Sequence, residues 1–284
     1  MAIQAGFGKQ KDVSGKAVTA KTSVVPLSFL QSVKKLPIPV TISGTSQRTF
    51  TVNASKTNPV TLWNGNDFIQ LKESLAYAWT GASDSLLGAT GAETTSNGPG
   101  STAPYYYYVG MNSSGTIRIL PSLSAPSYVE GPFENGVLTH PGTVRGQYWN
   151  YVGFSVCTTA STAMVFLAAT KVGHSYEFAP VTVATTTAVA VQELDFSATL
   201  PKHNVAVGGY LQTIALNQLI EVHSSSVASV GGTGHESTSL AILSSRSPFT
   251  GIEANSDGKL WATLTGQSST VVATVGVGRV TDLV

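Results

Sequence analysis

The sequence predicts an all-β protein, a β-sandwich of jelly-roll type that carries an extended N-terminal arm. Three observations predict it. Short β-branched and aromatic runs recur between turn residues, no sustained 3.6-residue periodicity appears, and the composition is poor in charge. Only 11% of the 284 residues are charged and 42% are hydrophobic, whereas an ordinary soluble domain is about 25% charged. Intrinsic disorder of the whole chain is thereby excluded, because disordered chains are rich in charge and poor in apolar residues. Ser, Thr, Gly and Ala take the place of the missing charge. They suit short strands and tight turns, and a surface poor in Lys and Glu can be covered by a neighbour at little desolvation cost.

Residues 1–58 read as a basic arm. Lys9, Lys11, Lys16, Lys21, Lys34, Lys35 and Arg48 face the single acid Asp12 within 1–48, so this end is strongly positive and the remainder acidic. Residues 26–35 could form one short helix, with Leu27, Leu30 and Val33 near one face. Pro37 and Pro39 then favour edge-type β structure. Such an arm cannot bury enough of itself to be stable alone, so it is expected to order against a strand of the body or against a partner.

The body divides at the sequence level into 59–180, a β-sandwich domain, and 181–284, a second β-rich domain or the rest of the same sandwich. Strand 60–63, the turn Asn64-Gly65 and strand 68–71 form a hairpin. A long Gly-, Ser- and Thr-rich loop follows over 81–104, then a second hairpin whose strands 105–109 and 116–120 flank 112–115. Residues 121–146 read as irregular, with Pro126, Gly131, Pro132, Gly136 and Pro141. Strands 148–157 and 164–169 pair next, and 176–178 adds a further piece. Runs 181–196 and 205–223 are β-branched and aromatic, with Gly208-Gly209 marking a bulge or a close backbone approach. Strands 240–243, 260–264 and 270–277 complete the body, and Asp257-Gly258 reads as a hairpin turn before Trp261.

Catalytic signatures are absent. There is no G-x-S-x-G elbow, H-E-x-x-H helix or EF-hand loop. The glycines of 8–16 lack P-loop spacing, with Ala17 where a hydroxyl is needed, and Gly276-Val277-Gly278 lacks the third dinucleotide glycine. No cofactor or metal is expected, since His140, His174, His203, His223 and His235 are scattered without ligand spacing. The single cysteine, Cys157, lies in an apolar run and reads as a buried, inert thiol. Glu193 and Asp195 share a strand face and could act as a carboxylate pair, although an exposed polar sheet edge is the plainer reading. The chain is read as non-enzymatic.

No signal peptide is recognisable at the N-terminus and no apolar run could span a bilayer, so synthesis in a host cytoplasm without export or membrane insertion is expected. The basic arm has too few interleaved aromatics for a nucleic-acid footprint and suits an acidic protein surface better. In the run 105–108, Tyr106 and Tyr108 are interface candidates together with the lysines of the arm. Either tyrosine rings stack on sugars, or alternate rings fill the core and face a neighbouring subunit.

The successions 105–115, 120–126 and 148–154, with the ending around Gly258-Lys259-Leu260-Trp261, resemble in style the β-domains of tailed-bacteriophage virion proteins. The resemblance spans roughly 59–284. It implies a surface virion component, commonly homotrimeric and without a cofactor. A capsid cement or decoration protein bound to the major capsid protein is one placement. A tail fibre or receptor-binding protein recognising host-surface glycans is the alternative. The absence of heptads, collagen-like triplets and shaft repeats favours the capsid.

Overall fold

The computed structural model describes residues 37–66, 68–81, 84–94, 100–111, 114–131, 136–144, 147–160, 163–185, 191–213, 218–224, 235–239, 246–254, 256–266 and 273–283. Within them the chain is all-β, and its one helical piece is the 3-10 turn Thr45–Gln47. The architecture is sandwich-like, built from several antiparallel sheets.

A three-stranded sheet runs in the order Val40–Ser43, Thr49–Val52, Leu75–Ala78. A larger sheet runs Ser127–Val129, Val137–Val144, Gln147–Thr159, Pro104–Met111, Ile117–Ser122, with Val165–Phe166 added to Gln147–Thr159. The C-terminal part supplies two more. One orders Ala169–Val172, Ser175–Thr185, Ala273–Asp282, Val205–Thr213 and Arg246–Ala254. The other orders Gln192–Asp195, Lys259–Gly266, Gln218–His223 and His235–Ser239. The hairpin of Val60–Trp63 and Phe68–Leu71 sets Trp63 opposite Phe68, so Asn64-Gly65 opens a four-residue connection rather than a two-residue turn, with Gly65 at positive φ. It docks on the larger sheet through Tyr148, whose N donates to Asn64 O (2.9 Å) and whose ring stacks on Trp63, and through Asn150. Asn150 Oδ1 accepts from Trp63 N (3.1 Å) and Asn150 Nδ2 donates to Trp63 O (2.7 Å), so a carboxamide stands in for a neighbouring peptide group.

One buried apolar cluster extends from Ile38 to Val280 and joins both halves of the body. Phe50 lies flat on Tyr107, with ring centroids 3.8 Å apart and planes 9° from parallel. A smaller cluster of Trp79, Tyr105, Cys157, Met164 and Phe166 sits beside it. The register slips between Gly208 and Gly209, the expected bulge. A Cβ at residue 209 would collide with the Gly276 carbonyl oxygen, so glycine is needed for the two strands to approach.

Several expectations are corrected. The arm does not run to 58: Val40, Phe50 and Val52 are buried, and Thr49–Val52 pairs with the body strand Leu75–Ala78. The alternating apolar residues of that segment find a sheet to join. The irregular stretch 121–146 contains strands Ser127–Val129 and Val137–Val144, and Pro141 falls where the register slips between Thr139 and Thr143. A bulge is where a strand tolerates a residue with no N–H to donate. The loop 81–104 includes the small pair Leu86–Leu87 and Glu93–Thr94. Asp257-Gly258 makes no hairpin, because Arg246–Ala254 and Lys259–Gly266 belong to different sheets and the turn carries the chain between them. The helix expected over 26–35 and the strand over 240–243 lie outside the described residues.

Candidate functional site

The Tyr105–Tyr108 run fixes the centre of the larger sheet. All four side chains are at most 1% exposed. Alternate tyrosines point to opposite faces, so this strand is covered on both sides. Tyr106 and Tyr108, expected at an interface, are therefore interior side chains with no ring face to offer a sugar or a neighbouring subunit. Their hydroxyls are used internally. Tyr106 accepts from Lys202 N (2.6 Å), Tyr107 accepts from Trp79 Nε1 (2.9 Å) and shares a hydrogen with Ser155 Oγ (2.8 Å), and Tyr108 donates to Ser124 O (2.6 Å). Burial pushes all four phenols above their ordinary pKa. The six lysines of the interface set, Lys9 to Lys35, lie outside the described residues.

Two histidines are buried beside this strand. His140 packs edge-on against Tyr108, with centroids 4.9 Å apart. Gly142 N donates to its Nδ1 (2.9 Å), so in the neutral ring Nε2 carries the hydrogen and points at Ser122 Oγ (3.2 Å). Burial lowers the His140 pKa, which favours that neutral ring. Ser122 Oγ also accepts from Ser124 N (3.1 Å) and donates to Leu87 O (3.0 Å). A hydroxyl has one donor and two acceptor positions, and all three are filled. The pair has the composition of a nucleophile and its base but the wrong proton arrangement, because the imidazole donates to the hydroxyl it would have to deprotonate.

The second buried histidine belongs to a group the sequence reading missed. His203 Nε2 lies 3.0 Å from Asp282 Oδ1, and Tyr151 OH donates to the two Asp282 oxygens at 3.3 and 3.4 Å. Tyr151 is also pushed well above its ordinary pKa, by burial first and the Asp282 charge next. Nearby, Lys171 donates to Val152 O (3.4 Å) and sits 5.0 Å from the Tyr176 ring centroid. Burial lowers the Lys171 pKa, and the Asp282 charge partly offsets that. The group ties the larger sheet to the C-terminal strands. No sequence spacing could reveal it, since His203 and Tyr151 lie 79 and 131 positions from Asp282.

The carboxylates on strand Gln192–Asp195 take the plainer role. Glu193 pairs with Lys259 Nζ at 2.7 Å, and Asp195 accepts from Ser197 N at 2.8 Å. That hydrogen bonding lowers the Asp195 pKa. A carboxylate held below its usual range cannot serve as the protonated acid of a glycosidase pair at neutral pH. Cys157 is fully buried, its Sγ donating to Thr159 O (3.2 Å) and its thiol pushed up by burial. Among the described residues no three His, Cys, Asp or Glu side chains gather to hold a metal ion. No described helix is long and apolar enough to cross a membrane.

A groove of about 410 Å³ is lined by Leu75, Ala76, Tyr77, Arg118, Ile119 and Leu120. Arg118 pairs with Glu93 at 3.4 Å beside it. At the wall, Asp84 is engaged by Thr80 N, Thr80 Oγ1 and Gly81 N. The groove separates two terminal strands, Leu75–Ala78 and Ile117–Ser122.

Fold and site together define an antiparallel, sandwich-like β protein in which Ser122–His140 and Tyr151–His203–Asp282 are interior and hydrogen-bonded among themselves. No family model, curated protein or solved structure matches the chain.

Proposed function

We propose that the chain is a non-enzymatic structural protein of a virion, a capsid cement or decoration protein. In this reading it has a jelly-roll winding and an N-terminal arm, binds the outer surface of the major capsid protein, acts as a homotrimer and needs no cofactor. The observation that carries the reading is the disposition of polar chemistry. Ser122–His140 and Tyr151–His203–Asp282 are locked inside, while a charge-poor sequence supplies the exterior for contacts. Such an exterior can be covered over a wide area without stranding unpaired charges.

The folded place of Val40–Ser43 and Thr49–Val52 sets the boundary for a test. Removing 1–48 would tear out Phe50's own strand partner, whereas removing 1–36 leaves every described residue in place. Capsids lacking the protein are mixed with full-length and 37–284 chains, and bound protein is measured after sedimentation. Attachment of the full-length chain with at least tenfold weaker attachment of the shortened one is the expected result. Equal attachment removes the arm from the proposal, and no attachment of either chain removes the cement role.

A further inference from the structure

We propose that the outer face of the sheet formed by Gln192–Asp195, Lys259–Gly266 and Gln218–His223 is a carbohydrate-binding platform centred on Trp261, and that it takes an extended, uncharged chain of β-linked pyranose sugars. The inference goes beyond the cement reading, which needs no glycan, and does not depend on a capsid.

The first ground is the side of the sheet on which these residues stand. Leu194, Leu260, Ala262, Ile220 and Val222 are at most 1% exposed and belong to the common apolar core. Side chains alternate along a strand, and residues paired across a ladder share a face. Glu193 is opposite Trp261 and Trp261 is opposite His223, so these three form one row on the outer side. Thr263 and Glu221 make the next row in one direction, Asp195 and Lys259 the next in the other. Two strand spacings, roughly 10 Å, separate the ends of the central row. A disaccharide covers that span.

The second ground is the state of the tryptophan. Trp79 donates from Nε1 to Tyr107 OH and packs against Tyr77, Tyr105 and Phe166. Trp63 stacks on Tyr148, and Trp149 is 1% exposed. Trp261 is only half-buried, and among the described residues it has neither a hydrogen-bond partner nor a ring contact. Its apolar ring and its one donor are thus both available on the outer face, the combination that suits a ligand with an apolar side and a polar rim.

The third ground is what borders the ring. Glu193 Oε1 takes Lys259 Nζ (2.7 Å), yet the glutamate side chain is 48% exposed, so its second oxygen can accept from a sugar hydroxyl. On the other side Thr263 Oγ1 lies 3.3 Å from His223 Nε2, which is 3.7 Å from Glu221 Oε2. A hydroxyl and a neutral imidazole each donate and accept, as sugar hydroxyls do. A pyranose with equatorial hydroxyls has apolar C–H faces and a polar rim, which matches an indole bordered by these groups. The charges select against other ligands. A phosphate or an acidic glycan would meet Glu193, Asp195 and Glu221 with Lys259 as the near cation. An ammonium group would find Glu193 already paired and Asp195 already accepting from Ser197 N (2.8 Å). A sheet face runs on along its strands, so it suits an extended ribbon of sugars better than an enclosed monosaccharide.

The test is an NMR titration of the full chain with cellotetraose, reading the indole N–H signals of its four tryptophans. The expected result is a saturable shift of the Trp261 signal while those of buried Trp79 and Trp149 stay in place. In Trp261→Ala the backbone amides of His223 and Thr263 report binding instead, and affinity falls about tenfold. Trp261→Tyr, which keeps a stacking ring, loses less. Native-like Trp79 and Trp149 signals show that each variant is folded. Absence of a saturable Trp261 shift overturns the proposal, and so does a Trp261→Ala chain that binds as tightly as the native one. A shift produced by tetralysine and not by cellotetraose overturns the ligand class in favour of a basic peptide. Because no capsid is present, failure here is separate from failure of the cement reading.

Discussion

The two buried histidines differ in what holds them, and the difference separates two kinds of structural polarity. His140 has both ring nitrogens engaged by near neighbours, Gly142 and Ser122, within one sheet. His203 has one nitrogen on Asp282, while its Nδ1 is buried with no partner among the described residues. The first arrangement is a closed local peg. The second joins distant strands and depends on one carboxylate. A buried acceptor left over costs stability, so the strands around His203 hold it against that cost rather than because of it.

Breaking the comparison at its weaker member gives the largest effect. Asp282→Ala deprives both His203 and Tyr151 of their partner, and each buried hydrogen-bonding group left unsatisfied costs about 1–3 kcal/mol. Urea denaturation should show that loss, with Asp282→Asn milder because its carbonyl oxygen still accepts. A loss for Asp282→Ala no larger than for a surface substitution would mean that the network contributes nothing.

His140→Ala comes next, at about 2–3 kcal/mol for the stranded Gly142 N–H, Ser122 hydroxyl and vacated space. His140 also gives the pH sign. Burial lowers its pKa in the folded state, so the unfolded state takes up the proton first as pH falls. Stability should therefore decline below about pH 6.5, the ordinary histidine value, by at most about 1.4 kcal/mol per pH unit from this group. His140→Gln should flatten that part of the profile, and an unchanged slope would assign it elsewhere.

Tyr106→Phe is the smallest change. It removes only the acceptor for Lys202 N, which lies beside His203, and should cost about 1–2 kcal/mol in the same denaturation measurement. A matching loss in Tyr107→Phe, whose hydroxyl lies on the opposite face with Trp79 and Ser155, would show that hydroxyls on both sides of the strand matter equally.

What the sequence made legible was local. Asn64-Gly65 and the 105–122 hairpin carry their turn chemistry within a few residues, and Gly208-Gly209 announces its bulge. The Tyr105–Tyr108 run was legible too, since an unbroken aromatic run marks a strand covered on both faces. The alternation inside 38–52 was masked by Pro37 and Pro39, which pointed to an arm although the partner strand lay beyond Lys72. The histidine–aspartate contact left no local trace, because strands adjacent in space need not be adjacent in sequence. The arm lysines carry an asymmetry of charge, and nothing in their spacing says which surface receives it.

The position of Ala273–Asp282 also bears on how the protein is made. It lies between Ser175–Thr185 and Val205–Thr213, with residues such as Ser175 and Thr281 bonded across 106 positions. Both neighbours leave the ribosome long before the strand that must join them. Until it arrives, two long apolar strands present open edges, the condition in which β chains associate wrongly. Loop closure over such separations slows folding as well. The yield of correctly folded chain should therefore depend on how long the nascent protein waits for its central strand, which makes synthesis rate and chaperone occupancy part of its assembly.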